Sequence, residues 1–206
     1  MKAFMSWLLT GLLVLSLAQS GIHAQGTQGY NIGDAIANFH LKNVDGRMVS
    51  LGDYQLKKGL ILVFTSNHCP FSKTYEDRII ALDRKFAAQG YPVLAIMPND
   101  PTAYEQDSFE NMKNRAREKE YSFAYVIDET QSTARTFGAT RTPQVYVLKQ
   151  TNGSFILEYV GSIDDSPQDS AGAQRRYVDE AVSSLLAGRP VQSPMTKPIG
   201  CGIKWK

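Results

Sequence analysis

Apolar residues gather in short blocks along this chain, and the densest is Leu60-Ile-Leu-Val-Phe64. Five apolar residues in a row with no alternation predict a strand buried on both faces. Polar Thr65-Ser66-Asn67-His68 interrupts the run before Cys69-Pro70. From there Phe71, Tyr75, Ile79, Leu82 and Phe86 recur at helical spacing, one face of an amphipathic helix that Gly90 ends. Proline is at home in the first helical position, so Cys69 is the expected N-cap. A second buried block, Val93–Met97, follows Tyr91-Pro92, and strand, helix, strand in this order predicts a parallel βαβ unit.

Upstream, Phe39-His40-Leu41 and Met48–Leu51 flank Asn43-Val44-Asp45-Gly46, the pattern of a β-hairpin. His40 lies in that strand pattern and reads as structural. Residues Gly26–Ile32 are polar and glycine-containing, a flexible lead-in. Downstream, Phe109, Met112 and Ala116 mark a helix whose Glu110, Lys113, Arg115, Arg117 and Glu118 read as a solvated face. Phe123–Ile127 predicts a short strand and Gln131–Phe137 a short helix stopped by Gly138. Pro143 opens an apolar strand, where a missing N–H breaks no ladder. Asn152-Gly153 turns that strand back into Phe155–Val160, and a last helix covers about Gln174 to Leu186. Asp164 and Asp165 read as turn and cap residues.

The end of the chain is different in kind. Pro190, Pro194 and Pro198 forbid a helix, and the segment closes on Ile199-Gly-Cys201-Gly-Ile-Lys-Trp-Lys206. The 13 residues from Gly188 to Cys201, extended at ~3.1 Å each, span roughly 40 Å, about the width of a domain. Cys201 is therefore within reach of Cys69, and Ile203 and Trp205 are expected anchors for the tail.

The other end begins with Lys2, an apolar run from Phe4 to Leu17 and small residues up to Ile22-His23-Ala24, the plan of a secretory signal. The run is shorter than the ~20 residues of a membrane span. The expected organisation is a signal peptide over 1–24, one domain over 25–187 and a proline-containing tail over 188–206, with no stable membrane span in the mature chain. Export, to a periplasm or cell envelope, puts both cysteines in an oxidising compartment, where they either pair or are kept reduced by a partner. The 22 basic and 20 acidic residues nearly cancel, so no nucleic-acid surface is expected.

One chemistry stands out. A thiol at the junction of a buried strand and a helix meets unpaired N–H groups and the positive end of the helix dipole. Both favour thiolate over thiol, as a nucleophilic sulfur requires.

The order hairpin, strand, cysteine at a helix start, helix, strand, helix, Thr-Pro before a strand, hairpin and final helix resembles the thioredoxin fold. More narrowly it resembles the exported redoxins of the alkyl hydroperoxide reductase/thiol-specific antioxidant (AhpC/TSA) group. The likeness covers about 30–190 and rests on Asn67-His-Cys-Pro70, Tyr75-Glu-Asp-Arg78, Asn99-Asp-Pro101, Thr140-Arg-Thr-Pro143, Gly161-Ser-Ile-Asp-Asp165 and the tail Gly200-Cys-Gly-Ile-Lys-Trp205. It implies an α/β thioredoxin-like fold, a central mixed sheet flanked by helices, with an N-terminal β-hairpin and an extended C-terminal tail. It also implies that the Thr142–Pro143 bond is cis and faces the sulfur of Cys69.

The chain departs from the group where Ser66 stands in place of the first cysteine of Cys-x-x-Cys. A serine cannot form a disulfide, so a dithiol cycle needs another second sulfur. Three chemistries remain. Cys69 is the nucleophile of a thiol–disulfide oxidoreductase and Cys201 resolves from the tail. Alternatively, Cys69 attacks a peroxide, since Ser66-x-x-Cys69 fits part of the peroxiredoxin motif and Arg141 lies near that family's arginine, although Leu62 stands where its proline is expected. In the third, the domain is non-catalytic and binds a partner or delivers copper or another metal through His68, Cys69 and Cys201. The first is preferred. Cys69, Cys201 and Arg141 are then the expected catalytic residues, with Ser66, His68, Pro70, Thr142 and Pro143 shaping the site. No cofactor and no resident metal is expected; the partners are protein thiols or disulfides, or a peroxide, and an electron donor.

Overall fold

The computed structural model describes residues 29–206. The expected signal peptide, its end at Ala24 and the lead-in up to residue 28 lie outside the described residues. The described chain forms β1 (His40–Asn43), β2 (Met48–Ser50), β3 (Gly59–Phe64), α1 (Pro70–Phe86), β4 (Val93–Met97), α2 (Phe109–Glu118) and β5 (Ala124–Ile127). It continues with α3 (Ser132–Phe137), β6 (Arg141–Thr142), β7 (Gln144–Thr151), β8 (Ser154–Gly161), α4 (Tyr177–Leu186) and β9 (Cys201–Gly202).

Seven strands form one mixed sheet in the order β2-β1-β5-β4-β3-β7-β8. The β3, β4 and β5 strands are parallel, while β7 and β8 on one side and β1 and β2 on the other are antiparallel. All six residues of β3 and all five of β4 are buried, as unbroken apolar runs require when both sheet faces are covered. Side chains alternate between the faces. Ile61 and Val63 pack with Tyr75, Ile79 and Phe86 of α1 and Val178 and Val182 of α4. Leu60, Leu62 and Phe64 pack on the opposite side with Leu41, Ala134 and Phe137. This is the thioredoxin-like α/β sheet flanked by helices. No helix among the described residues is long and apolar enough to cross a membrane.

Helix α1 starts where the proline rule puts it, with Cys69 as N-cap in extended conformation and Pro70 as its first residue. Gly90, in the left-handed region at φ +100°, lets the chain leave the short 3-10 turn after α1 and enter β4.

Three local expectations are corrected. Tyr30, within the supposed flexible lead-in, packs edge-on to Phe137 at 5.1 Å, and its hydroxyl accepts from the Ala37 N–H. An aromatic ring outweighs the polar composition around it. The charged face of α2 is not wholly solvated, because Arg115 holds the buried carboxylate of Glu76 on α1 through bonds of 2.7 and 2.6 Å. Asp164 is more than the expected turn residue: besides accepting from the Ser166 N–H at 3.0 Å, it is buried and accepts from the Tyr75 hydroxyl at 2.9 Å and from Arg78 at 2.9 and 2.7 Å.

Candidate redox site

The site is built at the carboxyl end of β3, where the polar turn Thr65–His68 delivers Cys69 to the head of α1. The Thr142–Pro143 peptide bond is cis, and the Thr142 carbonyl oxygen lies 3.1 Å from the Cys69 sulfur. Cys69 has no exposed surface.

Its cover is the chain terminus, and the two sulfurs are joined. Cys69 and Cys201 form a disulfide across 132 positions of sequence, with their Cα atoms 6.0 Å apart, within the usual span for such a bond. The pair is produced by strand addition. Segment β9 lies antiparallel to β6, with Cys201 opposite Thr142 and Gly202 opposite Arg141. Just before it, Gly200 rests against the Thr142–Pro143 peptide so closely that a Cβ there would run into the Thr142 carbonyl. A side chain at this position would lift the strand off, so the glycine is what lets Cys201 approach.

The tail is pinned on both sides of the cysteine. Upstream, the Thr196 N–H donates to the Val160 carbonyl of β8 and the Val160 N–H donates to the Pro194 carbonyl, while the Thr196 hydroxyl pairs with that of Tyr159 at 2.6 Å and accepts from the Ser162 N–H at 3.0 Å. Downstream, Ile203 is buried in the core beside the sheet, and its N–H donates to the Thr140 carbonyl. The Lys204 N–H donates to the Asn99 side chain at 2.9 Å, and the Lys204 carbonyl accepts from Gln131 at 2.7 Å. Arg135 stacks over the Trp205 ring at 4.3 Å.

The residues around the sulfur divide into two groups. Ser66 is buried, and its hydroxyl pairs with that of Thr142 at 3.1 Å. The structure thus brings Ser66, Cys69, Pro70, Thr142, Pro143 and Cys201 together. The Arg141 side chain is exposed and donates to the Gly200 carbonyl at 3.0 Å, one residue before Cys201. It lies on the tail backbone, and no bond from it to the Cys69 sulfur is present. His68 turns away from the sulfur toward Asp107, which takes its Nδ1 at 2.6 Å, while Tyr104 stacks on the ring at 3.9 Å.

Asp107 is the residue that sequence reasoning missed. Its carboxylate is fully buried and also accepts from the N–H groups of Asn67 and His68 and from the Asn99 amide at 2.8 Å. Asn99 holds the tail at Lys204, so Asp107 and Asn99 tie the loop before Cys69 to the segment after Cys201. Asp107 sits in a polar stretch of sequence with no periodicity to mark it, whereas Asn99 opens the Asn99-Asp-Pro101 motif. Beneath the loop, a cavity of about 10 Å³ lined by Ser66, Ser72, Glu76 and Tyr125 is polar and no larger than one water needs. Its lining groups are bonded to their neighbours, the Ser66 N–H to the Ser72 hydroxyl, the Tyr125 hydroxyl to the Asn67 side chain, and Glu76 to Arg115 and the Tyr121 hydroxyl. The hydrogen bond with Glu76 raises Arg115 above its ordinary value, and burial followed by the bond to Glu76 pushes the Tyr121 phenol well up.

A cysteine at the head of a helix, beside a cis proline, on a mixed sheet of this order defines a thioredoxin-like redoxin. The AhpC/TSA family matches residues 32–165, and the chain belongs to that family. Two solved structures are similar over nearly their whole length. An uncharacterized conserved protein from Geobacillus kaustophilus is 36% identical, with a TM-score of 0.79 over 85% of this chain and 93% of that one. A hypothetical protein from Sinorhizobium meliloti 1021 is 28% identical, with a TM-score of 0.79 over 87% of this chain and 97% of that one. Peroxidoxin BcpB from Mycobacterium tuberculosis, 18% identical with a TM-score of 0.58 over 77% and 97%, shares the fold. A search of curated proteins gave no match.

Proposed function

We propose that the protein is an exported thiol–disulfide oxidoreductase whose working pair is Cys69 and Cys201, the tail supplying the sulfur that Ser66 cannot. The observation that carries this reading is the disulfide between these residues, formed beside the cis Thr142–Pro143 peptide where the tail strand sets Cys201 opposite Thr142. In the reduced state Cys69, at the helix head, attacks a substrate disulfide and forms a mixed disulfide, releasing one substrate thiolate. The Cys201 thiolate then attacks the Cys69 sulfur, the second substrate thiolate departs, and the protein holds the bond seen here. Two electrons pass from the protein to the substrate, and the two cysteine protons end on the substrate thiols. Thr142 and Pro143 shape the groove, Pro70 fixes the helix start, Ser66 fills the place of the missing sulfur, and His68 orders the loop. Arg141 steadies the tail at Gly200.

The experiment is a titration of the purified protein against buffers of graded thiol–disulfide poise, with the Cys69–Cys201 peptide followed by non-reducing mass mapping. The expected result is a single two-electron transition. A bond that never responds, or a reduced Cys69 with a pKa at or above the ~8.5 of a free cysteine, rejects the reading.

The peroxidase reading keeps one observation in its favour, since the same disulfide is the end point of a peroxide cycle. There the Cys69 thiolate displaces hydroxide from hydrogen peroxide to give a sulfenic acid, and Cys201 condenses with it, releasing water. Trapping a sulfenic acid on Cys69 in a Cys201→Ser variant, faster than on a free thiol, decides for it. Metal delivery is disfavoured in the oxidised form, where each sulfur is bonded to the other and the His68 Nδ1 to Asp107.

A further inference from the structure

The groove beside Pro143 is already occupied. Strand β9 runs antiparallel to β6 and takes up the backbone edge at Arg141 and Thr142, the edge that an extended polypeptide would otherwise use to lie across the disulfide. The fit is built rather than incidental. Gly200 seats against the Thr142 carbonyl, Arg141 closes on the Gly200 carbonyl, Ile203 enters the core, and Lys204 and Lys206 are bonded to Asn99 and Gln131. None of these contacts needs the disulfide. The two sulfurs also differ in access, because Cys69 is fully buried while Cys201 is partly exposed.

Resting on the oxidoreductase reading above, we infer that the oxidised protein takes its electrons from a low-molecular-weight thiol and selects against thiols carried on an extended polypeptide. The tail acts as a fixed occupant of the peptide groove. A small thiolate attacks Cys201, the reachable sulfur; a mixed disulfide with Cys201 forms and Cys69 leaves as thiolate, then takes a proton. A second small thiolate attacks the donor sulfur of that mixed disulfide, giving the donor disulfide and releasing Cys201. Two thiols thus supply two electrons and two protons, and this reductive half of the cycle does not require the tail to leave its groove. A polypeptide thiol must either displace β9 or approach without backbone pairing.

The test compares two thiols of matched sulfur chemistry, N-acetylcysteine amide and a ten-residue unstructured peptide with one central cysteine, as reductants of the full oxidised protein. The peptide is expected to react roughly tenfold more slowly, about the penalty of one displaced backbone bond pair. In Gly200→Ala, where the new methyl group pushes the strand from Thr142, the gap narrows to about threefold or less. Ile203→Ala, which loosens the same strand from its far side, serves if Gly200→Ala does not fold, with the same expectation. Equal rates in the wild-type protein, a faster peptide, or a gap unchanged in the loosened variant overturns the inference while leaving the redox pair intact. A disulfide that neither thiol reduces rejects the oxidoreductase reading, and this inference with it.

Discussion

The two cysteines reach the same bond by opposite means. Cys69 is placed by its neighbours in sequence: a buried strand ends, a polar turn follows, and Pro70 starts a helix. Cys201 is placed by residues far away in the chain, namely Thr142 across the strand pair, Thr140 behind Ile203, and Asn99 and Gln131 around Lys204. A local device needs few residues and tolerates little change at them. A distributed one shares the task among several weak contacts, each of which can be cut without abolishing the rest.

The strongest way to break this contrast is to remove the bond itself. Reducing the protein or replacing Cys201→Ser should lower stability by about 4 kcal/mol, because a cross-link closing so long a loop restrains the unfolded chain. Urea denaturation with and without reductant measures this, and a loss near zero would mean that the tail contacts alone set the stability. Asp107→Ala should follow, at about 3 kcal/mol, since it leaves the N–H groups of Asn67 and His68 and the Asn99 amide without their buried acceptor. The same variant should disturb both cysteines at once, seen as faster hydrogen exchange in the loop at 67–69 and in the tail at 200–204. Exchange raised in only one of them would separate the two regions.

Smaller effects sharpen the comparison. Ile203→Ala should cost about 2 kcal/mol in denaturation, the usual loss for a truncated buried isoleucine, while leaving α1 protected from exchange. Ser66→Cys should change stability by less than about 1 kcal/mol, the side chain being buried but similar in shape. It creates a Cys-x-x-Cys pair and sets a local partner against the distant one. With Cys201 held opposite Thr142, mass mapping of the oxidised variant should still find mainly Cys69–Cys201.

The legibility of the site in the sequence follows the same division. The β3 and β4 strands, α1 and the N-cap at Cys69 are visible because unbroken apolar runs, helical spacing and a proline each act within a few residues. Family likeness added the cis bond at Pro143, which no local pattern reveals. Whether the tail reached Cys69 was left open by its length; the register of Cys201 on Thr142 depends on Gly200, whose importance lies in what it touches. Asp107, Glu76 with Arg115, and Asp164 with Arg78 were illegible as buried networks for a shared reason. Charged residues in polar stretches look alike on a sequence whether they face water or a partner from another element, and only the fold decides.

The anchoring of the tail at Thr196 and again from Ile203 onward has a kinetic consequence. When the bond opens, Cys201 cannot diffuse into solvent, so re-oxidation is a ring closure and not an encounter. The second sulfur is then presented at an effective concentration set by the short span between its fixed neighbours, and closure proceeds at a rate independent of how much protein is present.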